Sequence, residues 1–256
     1  MKLIDVHCHL ESEELKDKTQ EVIEAARKAG IVKLITSSVT PTQWHQSESF
    51  AKQYNEVEFT LGIHPWFASP GDMATINDLN EAKKRGAVAI GEIGLDLKIE
   101  NPSLDIQIPV FEEQLEIAKN INLPVIIHNR GASNQIIKSI RSIGLPEVGG
   151  IVHSFSDSVE VAKELLDLGL SFSMGGILTY KKIQKRQKVL DLIYPHHFLL
   201  ETDSPDIVPV TIDDAINVPS NILHNLEAAA KLLSKSIDEV AEVTTENAIR
   251  IFSLEI

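Results

Sequence analysis

Short apolar runs alternate along the chain with longer segments in which apolar residues recur at helical spacing. The stretches GIVKLITSSV and NLPVIIHNR are almost continuously apolar, as expected for strands buried on both faces of a parallel sheet. Gly30 and Gly169 directly follow two helical segments and indicate where those helices end. The pattern predicts strands over 3–9, 32–39, 59–64, 87–94, 124–129, 150–155, 170–175 and 198–203, and between them helices that include 13–29, 107–121, 158–168 and 182–193.

Eight strand–helix units in one chain most simply close into a (β/α)8 TIM barrel. A doubly wound open sheet is the alternative, but no G-x-G-x-x-G motif follows the first predicted strand. No segment has the composition of a linker between domains. We therefore predict a single domain that spans residues 1–256.

The composition is ordinary for a soluble globular protein, with 43% hydrophobic and 24% charged residues. The single cysteine excludes an intrachain disulfide, and residues 1–20 lack a signal-peptide pattern, so a cytoplasmic location is expected. No apolar run has the length of a membrane span. The net charge of −13 opposes binding of nucleic acid by bulk electrostatics, so an anionic substrate would need bound metal ions or a basic patch.

Ionisable residues collect at the carboxyl ends of the predicted strands, where (β/α)8 barrels place their active sites. The motif DVHCHL puts two histidines on one strand face, because residues two apart in a strand point the same way. Such groups are costly to bury unless they are paired. The set comprises His7, His9, His64, Glu92, Asp96, His128, Arg130, His153, Glu201 and Asp203.

This mixture of imidazoles and carboxylates predicts a metal site that suits Zn, Mn, Ni or Fe, or Mg where carboxylates dominate. One carboxylate between two groups of ligands would allow a pair of ions about 3.5–4 Å apart. Any one of these histidines, taken alone, is explained as a core residue whose hydrogen bonds are satisfied. The convergence of the whole set on one rim favours a metal site.

The motifs DVHCHL, GIHP, AIGEIGLD, LPVIIHNR, VHSFS and LLETDSP stand in the order and spacing of the TatD family of metal-dependent deoxyribonucleases. The resemblance continues through VFEEQLEIA before the fifth strand and TTENAIRIF near the end of the sequence. It covers essentially the whole chain. Resemblance to this family implies a (β/α)8 hydrolase that cleaves phosphodiester bonds of DNA as a 3′–5′ exonuclease.

The resemblance also implies two divalent cations per subunit, which would be Mg, Mn or Zn. The implied ligands are His7, His9, Glu92 and Asp203 for the first ion, and Glu92, His128 and His153 for the second. Glu92 would bridge the two ions. His64 would lie beside them and contact the scissile phosphate or its water.

Two segments depart from the family pattern. Asp157 follows HSFS where the family usually has glycine. Ile216, Asn217, Val218 and Pro219 stand where many members have R-N-E-P. Neither departure changes an implied metal ligand. Both affect the contacts expected with the substrate.

The residues themselves suggest roles in such a hydrolysis. Two cations would neutralise the phosphate and lower the pKa of a bound water, and Asp203 would accept the proton of that water as general base. Glu201 either orients a metal ligand or is a structural carboxylate. Arg130 is expected to bind a phosphate oxygen, and Trp66 either stacks on a base or packs within its loop.

The segment YKKIQKRQK, over 180–188, carries five basic residues just after the seventh predicted strand. Such a run is usually a solvated helix face. Because it begins at the rim that carries the candidate ligands, part of it could instead follow the backbone of a nucleic acid.

Two other functions are compatible with the same residues. A binuclear hydrolase acting on a C–N, ester or aminoacyl bond of a small or RNA-linked substrate would use this barrel, although many such enzymes bridge their metals with a modified lysine where this chain has Glu92. A barrel that binds metal without turnover is disfavoured by the complete set of acids and bases. We expect DNA as a substrate and not as a stable partner, no membrane association, and a monomer.

Overall fold

Eight parallel strands form one sheet in which each strand pairs with the next along the chain. The computed structural model describes residues 1–181 and 183–256. Helices alternate with the strands, so the predicted (β/α)8 barrel is confirmed. The strands are β1 (Leu3–Cys8), β2 (Ile31–Ser37), β3 (Val57–Leu61), β4 (Ala89–Asp96), β5 (Val125–Arg130), β6 (Gly150–Val152), β7 (Leu170–Met174) and β8 (Phe198–Leu200).

The helices follow the apolar periodicity, with shifts at their ends. The helix predicted from residue 13 begins at Thr19, because the Ser12 and Leu15 amides form turn hydrogen bonds to the carbonyls of His9 and Ser12. Lys182, the first residue of the helix predicted over 182–193, lies outside the described residues. The helices are α1 (Thr19–Lys28), α2 (Trp44–Gln53), α3 (Asp72–Ile76), α4 (Ala82–Arg85), α5 (Leu104–Ile121), α6 (Ser133–Ile143), α7 (Val159–Asp167), α8 (Ile183–Ile193), α9 (Ile222–Leu233) and α10 (Ile237–Phe252). In the described parts of the chain, none of them has the length and apolar character needed to cross a membrane.

Hydrogen bonds join the first strand to the segment that follows the last. The Asp203 amide donates to the carbonyl of His7 at 2.9 Å, and the His9 amide donates to that of Ser204 at 2.8 Å. The buried carboxylate of Asp5 accepts from the Thr202 amide at 2.9 Å and from the Thr202 hydroxyl. These bonds hold the two ends of the sheet together where the candidate ligands lie.

The helix α10 covers this seam from outside. The Thr245 hydroxyl donates to the carbonyl of Lys2 at 3.0 Å, and the Asn247 side chain donates to the carbonyl of Phe198 at 2.9 Å. The helix α10 is therefore hydrogen-bonded to the residue before β1 and to the first residue of β8.

A layer of apolar side chains lies directly beneath the candidate site. Ile126 and Ile151 are fully buried in one cluster with Leu199 and with Phe252 of α10. Because strand residues two apart share a face, Ile126 lies on the same face of β5 as His128. Burial of Ile126 in this layer therefore fixes which side of β5 presents its ligand.

Gly94 of β4 lies where the backbone of the neighbouring strand comes very close. Its φ is +147°, and a Cβ at this position would lie 2.0 Å from the carbonyl oxygen of His128. We expect Gly94→Ala to lower the free energy of unfolding by about 3 kcal/mol, because it adds a backbone clash to a strained conformation. Urea denaturation measures this loss.

Gly169→Ala is the matched control for backbone strain alone. The φ of Gly169 is +98°, and a Cβ there would have no neighbour within 4 Å among the described residues. This variant should lose only about 1 kcal/mol. Equal losses in the two variants would show that the clash with His128 contributes nothing.

Candidate metal centre

The carboxyl ends of five strands bring the six predicted metal ligands into one cluster, which His64, after β3, also joins. Three overlapping groups have ligand atoms within 4.8 Å of one another. The groups are His7, His153 and Asp203; His7, His9 and Glu92; and His64, Glu92 and His128. The structure therefore brings together residues that are spread over most of the sequence.

Glu92 lies at the centre of the cluster, and its two carboxylate oxygens face different histidines. Its Oε2 lies 3.3 Å from Nε2 of His7 and 3.4 Å from Nε2 of His9. Its Oε1 lies 2.9 Å from Nδ1 of His128 and 2.8 Å from Nε2 of His153. One carboxylate shared by two pairs of imidazoles is the arrangement that a bridging ligand between two cations requires.

Ser37 orients the first pair of histidines. Its hydroxyl lies 3.1 Å from Nδ1 of His7, and its carbonyl accepts from Nδ1 of His9 at 2.7 Å. The Nε2 atoms of both rings therefore face Glu92 and also lie 3.5 and 3.6 Å from Oδ1 of Asp203. Nε2 of His7 is buried without a hydrogen-bond partner in the described part of the chain, which fits a nitrogen that serves as a metal ligand.

Asp96 orients His128, a role that its position at a strand end did not by itself reveal. Its Oδ2 lies 3.3 Å from Nε2 of His128 and accepts from Nε1 of Trp66 at 2.6 Å. Burial opposes the charge of Asp96, but these hydrogen bonds outweigh burial and lower its pKa. An Nε2–H that donates to Asp96 leaves Nδ1 of His128 as the acceptor that faces Glu92. The spacing of Glu92 and Asp96, four residues apart on one strand face, was the available signal.

His64 differs from the other histidines in its hydrogen bonding. Its Nδ1 accepts the backbone N–H of Trp66 at 3.1 Å. A neutral ring with an acceptor at Nδ1 carries its proton on Nε2, which lies 3.2 Å from Glu92 Oε1. Burial lowers the pKa of His64 and so favours this neutral form. His64 is thus arranged to donate a hydrogen bond to an anionic oxygen and not to ligate a cation.

Protons on some of the histidines balance the buried carboxylates. Burial and the nearby His153 lower the pKa of His7 to about 4. At His9 burial also opposes the charge, but Asp203 and Glu92 outweigh it and raise the pKa to about 9. Glu92 similarly outweighs burial at His153 and raises its pKa to about 10. Because histidine ligates only when neutral, a divalent cation competes with these protons.

Glu201 lies behind the ligands and not on the cleft wall. It is fully buried, and its Oε1 accepts the backbone N–H of Ser154 at 2.7 Å. Its Oε2 accepts the Ser173 hydroxyl and lies 3.9 Å from Nδ1 of His153, too far for a hydrogen bond. Glu201 therefore holds the residue that follows His153 and does not hydrogen-bond to the ring itself.

The cluster opens into a cleft of about 640 Å³. Arg130 and Trp66, the two predicted substrate contacts, both line it. The Arg130 side chain is 56% exposed, with NH1 3.8 Å from Asp96 Oδ2. One basic and one aromatic side chain therefore stand beside the buried ligands.

The basic segment over 180–188 binds its own surroundings through at least two of its cations. Lys185 Nζ donates to the carbonyl of Ser156 at 2.6 Å. Arg186 NH1 donates to the carbonyl of Tyr180 at 2.8 Å. These bonds fix loops at the rim, where Ser156 and Tyr180 line the cleft.

Asp157, the first departure from the family pattern, anchors a loop. Its Oδ2 accepts from Asn129 Nδ2 at 3.0 Å and from the hydroxyl of Ser133. The loop after β6 is thereby tied to the end of β5 and the start of α6. Asp157 therefore fixes Asn129, which lines the cleft.

The second departure lies mostly away from the cleft. Ile216 and Val218 line a separate cavity of about 240 Å³ beside α1, together with Val22. Asn217, which the family pattern shares, is buried and donates to the carbonyls of Thr202 and Asp206 at 2.8 and 2.9 Å. The positions at which many family members have arginine and glutamate, Ile216 and Val218 in this chain, therefore lie beside α1.

We expect Asp96→Asn to weaken metal binding by about 10-fold or more, because His128 loses the charged partner that sets its orientation. Calorimetric titration of chelator-treated protein with Zn or Mn measures the affinity. Trp66→Phe is the control, since it removes the indole donor to Asp96 and spares His128, and its affinity should stay close to that of the wild type. Unchanged affinity in Asp96→Asn would contradict the orienting role.

A (β/α)8 barrel whose strand ends surround one central carboxylate with histidines defines the class of metal-dependent hydrolases. Residues 4–253 match the TatD related DNase family. The chain belongs to this TatD family, as the resemblance of its motifs implied.

The relatives of the chain match it over nearly its full length. YabD of Bacillus subtilis strain 168, described as an uncharacterized metal-dependent hydrolase, is 34% identical over 255 residues, which is 98% of this chain and 99% of YabD. The putative deoxyribonuclease tatdn3 of Danio rerio is 34% identical over 264 residues, covering 98% of this chain and 97% of that protein. The crystal structure of YjjV, a TatD homolog from Escherichia coli K12, superposes with a TM-score of 0.92 at 28% identity, over 99% of this chain and 98% of YjjV.

Proposed function

We propose that this metal-dependent hydrolase is a deoxyribonuclease that removes nucleotides from the 3′ end of DNA with two divalent cations. The observation that carries the proposal is the central carboxylate of Glu92, whose two oxygens face separate histidine pairs. The description of the matched family and the name of tatdn3 support DNA as the substrate.

His7, His9 and Asp203 would hold one cation, and His128 and His153 the other, with Glu92 between them. When bound, the two cations supply charge neutralisation of the phosphodiester and acidification of the attacking water. The donor set of imidazoles and carboxylates suits Zn or Mn, and Mg is the third candidate.

The other residues act on the substrate and on protons. Asp203 is 12% exposed in its side chain and lines the cleft, so it can receive the proton of the attacking water. His64 donates its Nε2–H to a phosphate oxygen, and Arg130 binds a second oxygen from the cleft wall. Glu201 holds Ser154 and thereby the position of His153.

Hydrolysis of single-stranded DNA by chelator-treated protein, titrated separately with Mg, Mn and Zn, tests this proposal. An oligonucleotide labelled at its 3′ end should release labelled mononucleotide at once, whereas the same oligonucleotide labelled at its 5′ end should shorten stepwise. Covalently closed single-stranded circles are the matched control and should stay intact.

The opposite results are equally informative. Cleavage of the circles would show that the protein is an endonuclease and not an exonuclease. No cleavage of any DNA by protein that binds metal would overturn the nuclease and favour an ester, amide or aminoacyl bond as the substrate.

A further inference from the structure

Two aromatic side chains project into the cleft next to the candidate ligands. Trp66 and Phe67, here called the aromatic ledge, stand on the short turn after His64 and are 46% and 50% exposed. Both line the cleft. Large aromatic side chains gain most from burial, so two neighbours left half in solvent at a cleft wall indicate a surface that a ligand covers.

The indole of Trp66 is held rigidly although it is exposed. Its Nε1 donates to the fully buried Asp96 at 2.6 Å, and its backbone N–H donates to Nδ1 of His64. Trp44 shows the contrast, since it is buried and its Nε1 donates to the carbonyl of Gly62 at 3.0 Å. Packing therefore accounts for Trp44, whereas the structure fixes Trp66 and leaves its ring accessible.

The ledge lies within a short distance of the groups that would contact the phosphate. The ring centroid of Trp66 is 5.1 Å from that of His64 and 6.3 Å from that of His128. Arg130 lines the same cleft and approaches Asp96, the carboxylate that holds Trp66. A planar group attached directly to a phosphodiester bound at His64 would therefore reach the ledge.

We propose that the aromatic ledge is the stacking site for the nucleobase next to the scissile phosphate. This inference rests on the proposed function, because a substrate carries a base at that place only if its scissile phosphate belongs to a nucleotide. A base that stacks on Trp66 has left its own stack and its pairing partner, so the ledge selects unpaired ends. Its fixed orientation lowers the cost of ordering the contact.

A binding experiment tests the ledge without catalysis. Chelator-treated protein is titrated with dAMP and, separately, with deoxyribose 5-phosphate, and tryptophan fluorescence is recorded after correction for absorbance. We expect dAMP, and not deoxyribose 5-phosphate, to quench the fluorescence in a saturable way. In Trp66→Phe the remaining emission comes from Trp44, and dAMP should leave it unchanged. Val210→Ala, a change at an exposed residue outside the cleft lining, should behave as the wild type does.

A kinetic experiment tests the same ledge in the metal-loaded enzyme. Thymidine 5′-(p-nitrophenyl phosphate) carries a base, and methyl p-nitrophenyl phosphate lacks one. We expect the wild type to prefer the first by about 10-fold in KM, as one stacked base provides. Trp66→Phe should keep most of this preference, and Trp66→Ala should reduce the ratio of the two KM values to about one.

The two experiments separate the stacking proposal from the nuclease proposal. Hydrolysis of both diesters without preference, or equal quenching by dAMP and the sugar phosphate, would overturn the ledge and leave the nuclease intact. If neither diester is hydrolysed with any metal but dAMP still quenches the fluorescence, the phosphodiesterase proposal is overturned and the stacking proposal is supported.

Discussion

Glu92→Gln is expected to lower kcat/KM for the proposed DNA hydrolysis by at least about 10³-fold, because the two proposed cations, which would stabilise the transition state by several kcal/mol, would lose their shared ligand. Each oxygen of Glu92 faces one histidine pair, so this substitution acts on both candidate ion sites at once. Glutamine matches the shape of glutamate and removes its charge. Hydrolysis of labelled single-stranded DNA measures the loss, and elemental analysis after dialysis should show reduced metal content.

Glu11→Gln is the matched control. Glu11 is also a buried glutamate and lies just after β1, but its carboxylate accepts the hydroxyls of Thr36 and Ser47 and does not line the cleft. We expect this variant to keep its metal and its activity. Full metal content together with wild-type activity in Glu92→Gln would show that the central carboxylate does not hold the ions.

Asp203→Asn is expected to lower kcat by about 10²–10⁴-fold, the usual effect of removing a general base. Histidine neighbours outweigh burial and lower the pKa of Asp203, so its carboxylate is ionised and able to accept a proton. Because His7, His9 and Glu92 are untouched, a larger share of the metal should stay bound than in Glu92→Gln. Single-turnover kinetics at saturating metal separates the lost chemistry from lost metal.

Asp206→Asn provides the comparison for Asp203. Asp206 lines the same cleft and lies three residues further along the chain, outside the ligand groups. Its replacement should change kcat by less than about 10-fold. Similar losses of kcat in the two variants would indicate that the negative charge of the cleft matters in general and that Asp203 is not a base.

The barrel and the ligand cluster were accessible from sequence because both depend on local patterns. Apolar runs of strand length show where each strand ends, and a barrel brings all these ends to one rim. His128 and His153 could therefore be placed together although 25 positions separate them in the sequence. The pairing of strands in chain order then fixed which ends are neighbours.

The contacts that orient the ligands were not accessible from sequence. Trp66 and Asp96 meet across 30 positions through a loop whose path no periodicity encodes. A serine at a strand end is too common to mark Ser37 as the partner of two histidines. The late start of α1 also depended on turn hydrogen bonds that the apolar pattern does not contain.

The seam between the first and last strands has a consequence for the synthesis of the chain. His7 and His9 are synthesised well before Asp203 and α10, which form the hydrogen bonds that close the seam. A nascent chain consequently carries five of the six candidate ligands before Asp203 and the seam bonds beside it can form. The full set of candidate ligands is therefore complete only once the barrel has closed.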